Sequence, residues 1–224
     1  LFPLVLAALL WLFIHIGVSG TRLRDAVVAR LGERGFVIGF SIASVVSIVL
    51  LVMAWQRAET VFLWSAPPAL RWLLAALMLP AFILFMASHR RNPTAVGGKG
   101  LGEEPRGIQR LTRHPMLWSF AIWAAVHLVG NGDTASLVFF GVFLVTALAG
   151  MPSIDAKLAR RHGAAWEAFA ARTSVLPFGA IATGRNHLAP AEIGWMPPLA
   201  GFVLWALLLH FHRHIFGVPA ILPF

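Results

Sequence analysis

The chain has 224 residues, of which 58% are hydrophobic and only 12% charged, with a mean hydropathy of +0.78. A water-soluble domain of this size cannot hide that much apolar surface, so the chain reads as an integral membrane protein in contact with the lipid bilayer. With no Cys, it has no disulfide, thiolate metal site or cysteine nucleophile, and its net charge of +9 reads as a topology signal and not as nucleic-acid binding.

Apolar runs of bilayer-spanning length predict spans near residues 1–19, 36–55, 69–88, 116–130, 134–151 and 195–215. The first run lacks the basic start of a signal peptide, and Gly17-Val18-Ser19-Gly20 is a poor cleavage site, so it is read as a span. It carries His15, with Trp11 and Ser19 one turn away on either side. The second run places Gly35, Gly39, Ala43 and Ser47 at four-residue spacing, a face that allows close approach of another helix.

Before the fourth run, Thr112, Arg113 and His114 precede Pro115, which suits a first helical turn because its missing N–H is not needed there. His127 lies inside this run, sharing a face with Trp123 and Phe120. Facing lipid would be costly, so it is expected to face protein or a cavity. Asn131, Gly132 and Asp133 then turn the chain into the fifth run, making a helical hairpin. After that run Ser153 is expected to cap an amphipathic helix. Ile154, Leu158, Ala165 and Phe169 lie near one of its faces, Lys157, Arg160 and Arg161 on its polar side, and it ends before Pro177.

All Lys and Arg except Arg57, Arg71 and Arg213 fall in the loops after the first, third and fifth runs, among them Arg22, Arg90, Arg91, Lys99, Arg110 and Arg172. The positive-inside rule makes those loops cytoplasmic and both termini extracytoplasmic. The predicted fold is all-α: a polytopic membrane bundle of about six transmembrane helices with a cytoplasmic interfacial amphipathic helix, forming one domain over residues 1–224.

The nine histidines are the main chemical signal. His162 and His187 lie in polar stretches, His210, His212 and His214 form a boundary cluster with Arg213, and His89 sits beside Arg90 and Arg91 where it can snorkel. His15, His114 and His127 remain. Haem iron accepts two imidazoles from different helices, whereas a di-iron centre needs inward carboxylates that the spans lack, and the His-Glu-x-x-His of a zinc hydrolase is missing. On the residues alone, haem ligation and ordinary hydrogen-bonded core histidines both stay open. Arg113 and His114 at the mouth of the hairpin suit an anionic group such as a propionate or a cofactor carboxylate. Arg113 and Asp155 also lie at one end of the hairpin, where a simple ion pair accounts for both.

The run Gly107-Ile108-Gln109-Arg110-Leu111-Thr112-Arg113-His114-Pro115-Met116-Leu117-Trp118, with His127, Asn131-Gly132-Asp133, Ile154-Asp155, Gly163, Trp166, Phe169, Thr173-Ser174 and Pro177-Phe178, resembles the NnrU family of bacterial membrane proteins over most of the chain. The resemblance implies a protein of the bacterial inner (cytoplasmic) membrane with periplasmic termini, tied to denitrification through the expression or activity of nitrite and nitric oxide reductases. The chain also looks like the membrane domain of the plant 15-cis-zeta-carotene isomerases, haem b enzymes. That likeness implies haem b as cofactor, His15 and His127 as its metal ligands, and a hydrophobic small molecule as partner. Where those relatives have a cysteine one turn before the second histidine, able to exchange as an iron ligand, this chain has Ala124.

Two other classes compete. Arg113-His114-Pro115 followed by Asp155, Leu158, Gly163, Trp166 and Phe169 is similar to the isoprenylcysteine and phospholipid methyltransferases. It implies that Arg113, His114 and Asp155 bind S-adenosylmethionine, although Ile154-Asp155 stands where those enzymes have paired glutamates and Trp166 where they have Tyr. The third class is a non-catalytic assembly or signalling partner of a respiratory complex.

Overall fold

The computed structural model describes residues 1–89, 92–95, 98 and 101–221. Arg90, Arg91 and Lys99 of the second basic loop lie outside them. The described residues are helical, and their only β-type pairing is an isolated antiparallel bridge between Phe62 and Asp133.

Helix α1 (Phe2–Leu12) widens directly into a π-helical turn, Phe13–Val18. Helix α2 (Arg22–Gln56) begins at Thr21, whose hydroxyl accepts the Leu23 N–H. At Gly32 (φ 72°, ψ 167°) this long helix is broken by a conformation that only glycine adopts without strain. No atom lies within 4 Å of a Cβ built there. Gly32→Ala is therefore expected to cost about 1–3 kcal/mol through backbone strain alone, read as a lower melting temperature in detergent.

Helices α3 (Pro68–Ala87), α6 (Thr134–His162) and α10 (Met196–Phe216), with α2, are long and apolar enough to cross a membrane, and Phe2–Val18 is a shorter apolar helix. Helix α5 (Pro115–Asn131) starts on Pro115 as expected and ends at Gly132 in the left-handed region (φ 67°, ψ 35°). There a Cβ would meet the Trp64 carbonyl oxygen at 1.9 Å, because the Leu63 and Trp64 N–H groups both donate to Gly132 O. Asp133 then caps α6, accepting from the Ser136 N–H at 2.9 Å and from the Thr60 hydroxyl at 2.7 Å.

Two expectations are corrected. Helix α6 does not end at residue 151 to restart at Ser153. It runs through Pro152 to His162, and Ser153 Oγ donates to Gly20 O at 3.1 Å instead of capping a new helix. The separate short helix is α7 (Ala164–Arg172), which follows Gly163 and buries Trp166 and Phe169; the single turns α4 (Ile108–Leu111) and α8 (Gly179–Ala182) lie in the loops before α5 and after α7. The small-residue face of α2 is packed only towards its Ser47 end, which is fully buried, since nothing lies within 4 Å of a Cβ at Gly39. The close crossing occurs between α10 and α3, where a Cβ on Gly201 would come within 2.9 Å of the Ile83 backbone.

One core cluster joins α1, α2 and α6 through Leu4, Leu51, Phe139 and Phe140, and a second joins α3 to α5 through Leu74, Met78, Ala81 and Val126. Trp205 of α10 donates to Ala75 O at 2.7 Å. Outside the core, Val37, Ile38, Ile42 and Val45 of α2 are exposed, an apolar surface suited to lipid. The chain reversals set two poles. The Gly20–Ser153 contact and the loops around Arg113 and Glu192 mark a basic pole, and the Trp64–Gly132 junction marks the opposite one.

Candidate functional site

The same local device holds an imidazole on two different helices. In the π-helical turn, His15 Nδ1 lies 3.0 Å from Trp11 O, four residues back. In α5, His127 Nδ1 lies 2.7 Å from Trp123 O. A carbonyl only accepts, so Nδ1 carries the proton in both rings and Nε2 is left as the lone-pair nitrogen. That is the tautomer a metal-ligating histidine adopts when its other nitrogen is oriented by a carbonyl.

Aromatic rings wall both imidazoles. His15 stacks on Trp11 with centroids 3.8 Å apart and meets the edge of Phe40 at 5.3 Å. His127 stacks on Phe140 at 4.8 Å. The two Trp-x-x-x-His units converge on one residue of α6, because Phe143 meets Trp11 edge-on at 5.0 Å and Trp123 at 5.4 Å. Trp11 also ties its helix to α6 through a 3.0 Å hydrogen bond to Thr146 Oγ1. His15 Nε2 has one polar neighbour, Ser44 Oγ at 3.4 Å. The ring nearest His127 on α10 is His212, 6.5 Å away, whose own Nδ1 faces Val218 O at 2.7 Å.

Among the described residues no three His, Asp or Glu side chains gather as a metal-binding group. Each of the two imidazoles keeps its Nε2 lone pair beside aromatic rings, which is the kind of donor that haem iron accepts.

Arg113, His114 and Asp155 do come together, at the basic pole. Asp155 accepts from Arg113 Nε at 3.0 Å, from Arg113 Nη2 at 2.5 Å and from His114 Nε2 at 2.7 Å. The remaining Arg113 nitrogen faces Thr173 O at 3.4 Å, and its guanidinium lies over Trp166. Segment 173–178 is laced to the start of α5 as well. The Arg113 N–H donates to Ser174 O, and Thr112 Oγ1 and Trp118 Nε1 both donate to Val175 O at 2.7 Å. The Arg113 fork is thus committed to protein acceptors, and a cofactor carboxylate entering here would have to displace Asp155. His114 is 1% exposed, with Nδ1 buried and unpartnered.

One polar cluster was not legible in the sequence. Glu192, in the short helix α9 (Pro190–Ile193), accepts from Arg110 Nε at 2.8 Å, Arg110 Nη2 at 2.9 Å and the Gly107 N–H at 2.8 Å. Nothing marks Glu192 as the partner of a residue so distant in the chain. Its hydrogen bonds from Arg110, then from Gly107, push its carboxyl down from 4.5 to about 2. A depressed folded-state value means stability that is present above 4.5 and lost as pH falls towards 2. The melting-temperature gap between the wild type and Glu192→Gln is therefore expected at neutral pH and vanishes over that acid range. It stays small and salt-sensitive because the pair is solvent-facing.

A sequence profile described as NnrU protein matches residues 3–220. Two chloroplastic 15-cis-zeta-carotene isomerases, from Arabidopsis thaliana and Zea mays, are each 27% identical over 192 residues, covering 83% of this chain and 52% of the relative. The chain thus spans about half the length of the curated relatives it matches. No solved structure matches it at a significant level.

Proposed function

The chain belongs to the NnrU family, and on that premise we propose that it is a haem b protein of the bacterial cytoplasmic membrane, active in denitrification-linked nitrogen oxide metabolism. The carrying observation is the repeated Trp-x-x-x-His geometry, once from α1 into its π-helical turn and once on α5, each imidazole with Nδ1 held by a carbonyl and both tryptophans meeting Phe143. The π-helical turn at His15 supports the reading, because such turns are rare and frequently sit at functional sites.

In this reading His15 and His127 would hold the haem iron through their Nε2 atoms, and haem, when bound, would supply redox chemistry. The chain's own part is to fix the tautomer of both imidazoles and to keep water from them with Trp11, Phe140, Phe143 and Trp123. The relatives' name supports a hydrophobic small molecule as the partner, reached from the lipid.

The proposed topology counts Phe2–Val18 and α5 as crossings beside the four long helices, six in all, with both termini periplasmic. A reporter fused after Gly163 should give a cytoplasmic signal, and a periplasmic signal would overturn the orientation.

The haem reading is tested by the absorption spectrum of the protein purified in mild detergent. A Soret band with α and β bands on reduction is expected. Absence of haem after expression in a haem-sufficient host would overturn it, and S-adenosylmethionine binding by that haem-free protein would favour the methyltransferase class.

A further inference from the structure

At the basic pole, where α2 begins and α6 ends, we infer a binding site for the phosphate headgroup of an anionic lipid, formed by Arg24 and Lys157 with Arg160 and Arg161 beside them. Arg24 is only 6% exposed. Its Nη2 pairs with Glu33, and its guanidinium lies over the Phe36 ring at 4.7 Å. Nη1 is left buried with no hydrogen bond, because the Asp25 carboxylate stands 3.8 Å away, beyond donor range. A buried N–H on a charged group that finds no acceptor is costly, and native structures rarely leave one so.

The neighbouring charges deepen the deficit. Lys157 is partly buried on α6, where Arg24, Arg161 and Arg160 act on it as like charges and Glu33 is the opposing one. The two carboxylates near Arg24, Asp25 and Glu33, are 55% and 56% exposed, so water already shares them. This cation excess is built into the fold. Ser153 Oγ, one turn from Lys157, holds Gly20 O at 3.1 Å and fixes the start of α2 against α6. The Gly32 break then returns Glu33 to Arg24. A phosphate offers several acceptor oxygens, enough to take Arg24 Nη1 and the Lys157 ammonium together.

The occupant is a lipid and not a free anion, because the apolar surface continues directly from the site. Leu31, Val37, Ile38 and Ile42, further along the same helix as Arg24, are exposed, so acyl chains have a wall to lie on while the headgroup meets the cations.

The test uses the full chain in detergent and reads its melting temperature against added phosphatidylglycerol, phosphatidylcholine and inorganic phosphate. Phosphatidylglycerol is expected to raise the midpoint in a saturable way, with little response to the other two. Lys157→Gln should weaken the apparent phosphatidylglycerol affinity about tenfold, the loss of one charge-assisted contact. Its melting temperature in phosphatidylcholine should not fall, because a cation repelled by its neighbours is removed, and this shows that the fold is intact. If Lys157→Gln itself melts early, the exposed Arg161→Gln provides the same reading with a smaller loss. Equal stabilisation by phosphatidylcholine, a phosphate response as large as the lipid response, or wild-type lipid affinity in both variants would overturn the proposal.

Discussion

Asp155→Asn lowers the melting temperature steeply, with an expected loss of about 3–5 kcal/mol, because it removes the one carboxylate that both Arg113 and His114 use. Asparagine keeps the shape and one acceptor oxygen, so it cannot receive the guanidinium fork and the imidazole together. The largely buried Arg113 charge then stands without its counter-ion, and His114, with Nδ1 already unpartnered, loses its other hydrogen bond. Thermal melts of the purified variant in detergent check this. Arg113→Lys separates structure from cofactor binding, since lysine keeps the charge but gives up the two-point contact and the reach to Thr173 O. The expected result is a smaller fall in melting temperature with haem content unchanged. Lost haem content at an unchanged melting temperature would mean that the mouth holds the cofactor.

The second large effect is spectral. With haem held as proposed, His15→Ala and His127→Ala should each abolish or shift its spectrum, because either change removes one of the two imidazoles. His187→Ala, at a site whose described contacts are to Asn186 and Arg110, should leave the spectrum as it is. Wild-type spectra in both ligand variants would reject the pair. His127→Ala alone would then be repeated with His212→Ala, the imidazole 6.5 Å from it.

Much of the architecture was readable because its signals are local. Pro115 and Gly132 bracket α5 as they stand in the sequence, and Asp133 is a cap that needs only Ser136 three residues on. His15 and His127 stood out in the sequence because each lies inside an apolar run, whereas the Trp carbonyl four residues back that faces each Nδ1 appears only in the structure. What could not be read depended on partners far along the chain. Pro152 and Ser153 look like a helix boundary, yet α6 continues, with Met151 buried and Ser153 turned to Gly20 O. The Gly35–Gly39 stripe looks like a helix contact, but the close crossing lies at Gly201 against Ile83, where the sequence offers a single glycine among large apolar residues. The Arg110–Glu192 clamp joins a loop to a four-residue helix and has no periodic signature at all.

Two imidazoles from separate helices on one haem iron, as proposed, would show in the electron paramagnetic resonance spectrum of the oxidised, purified protein. The expected result is a low-spin ferric signal in the wild type that turns high-spin, or disappears with the haem, in His15→Ala and in His127→Ala. A wild-type ferric signal that is wholly high-spin, or a low-spin signal that survives both substitutions, would contradict it.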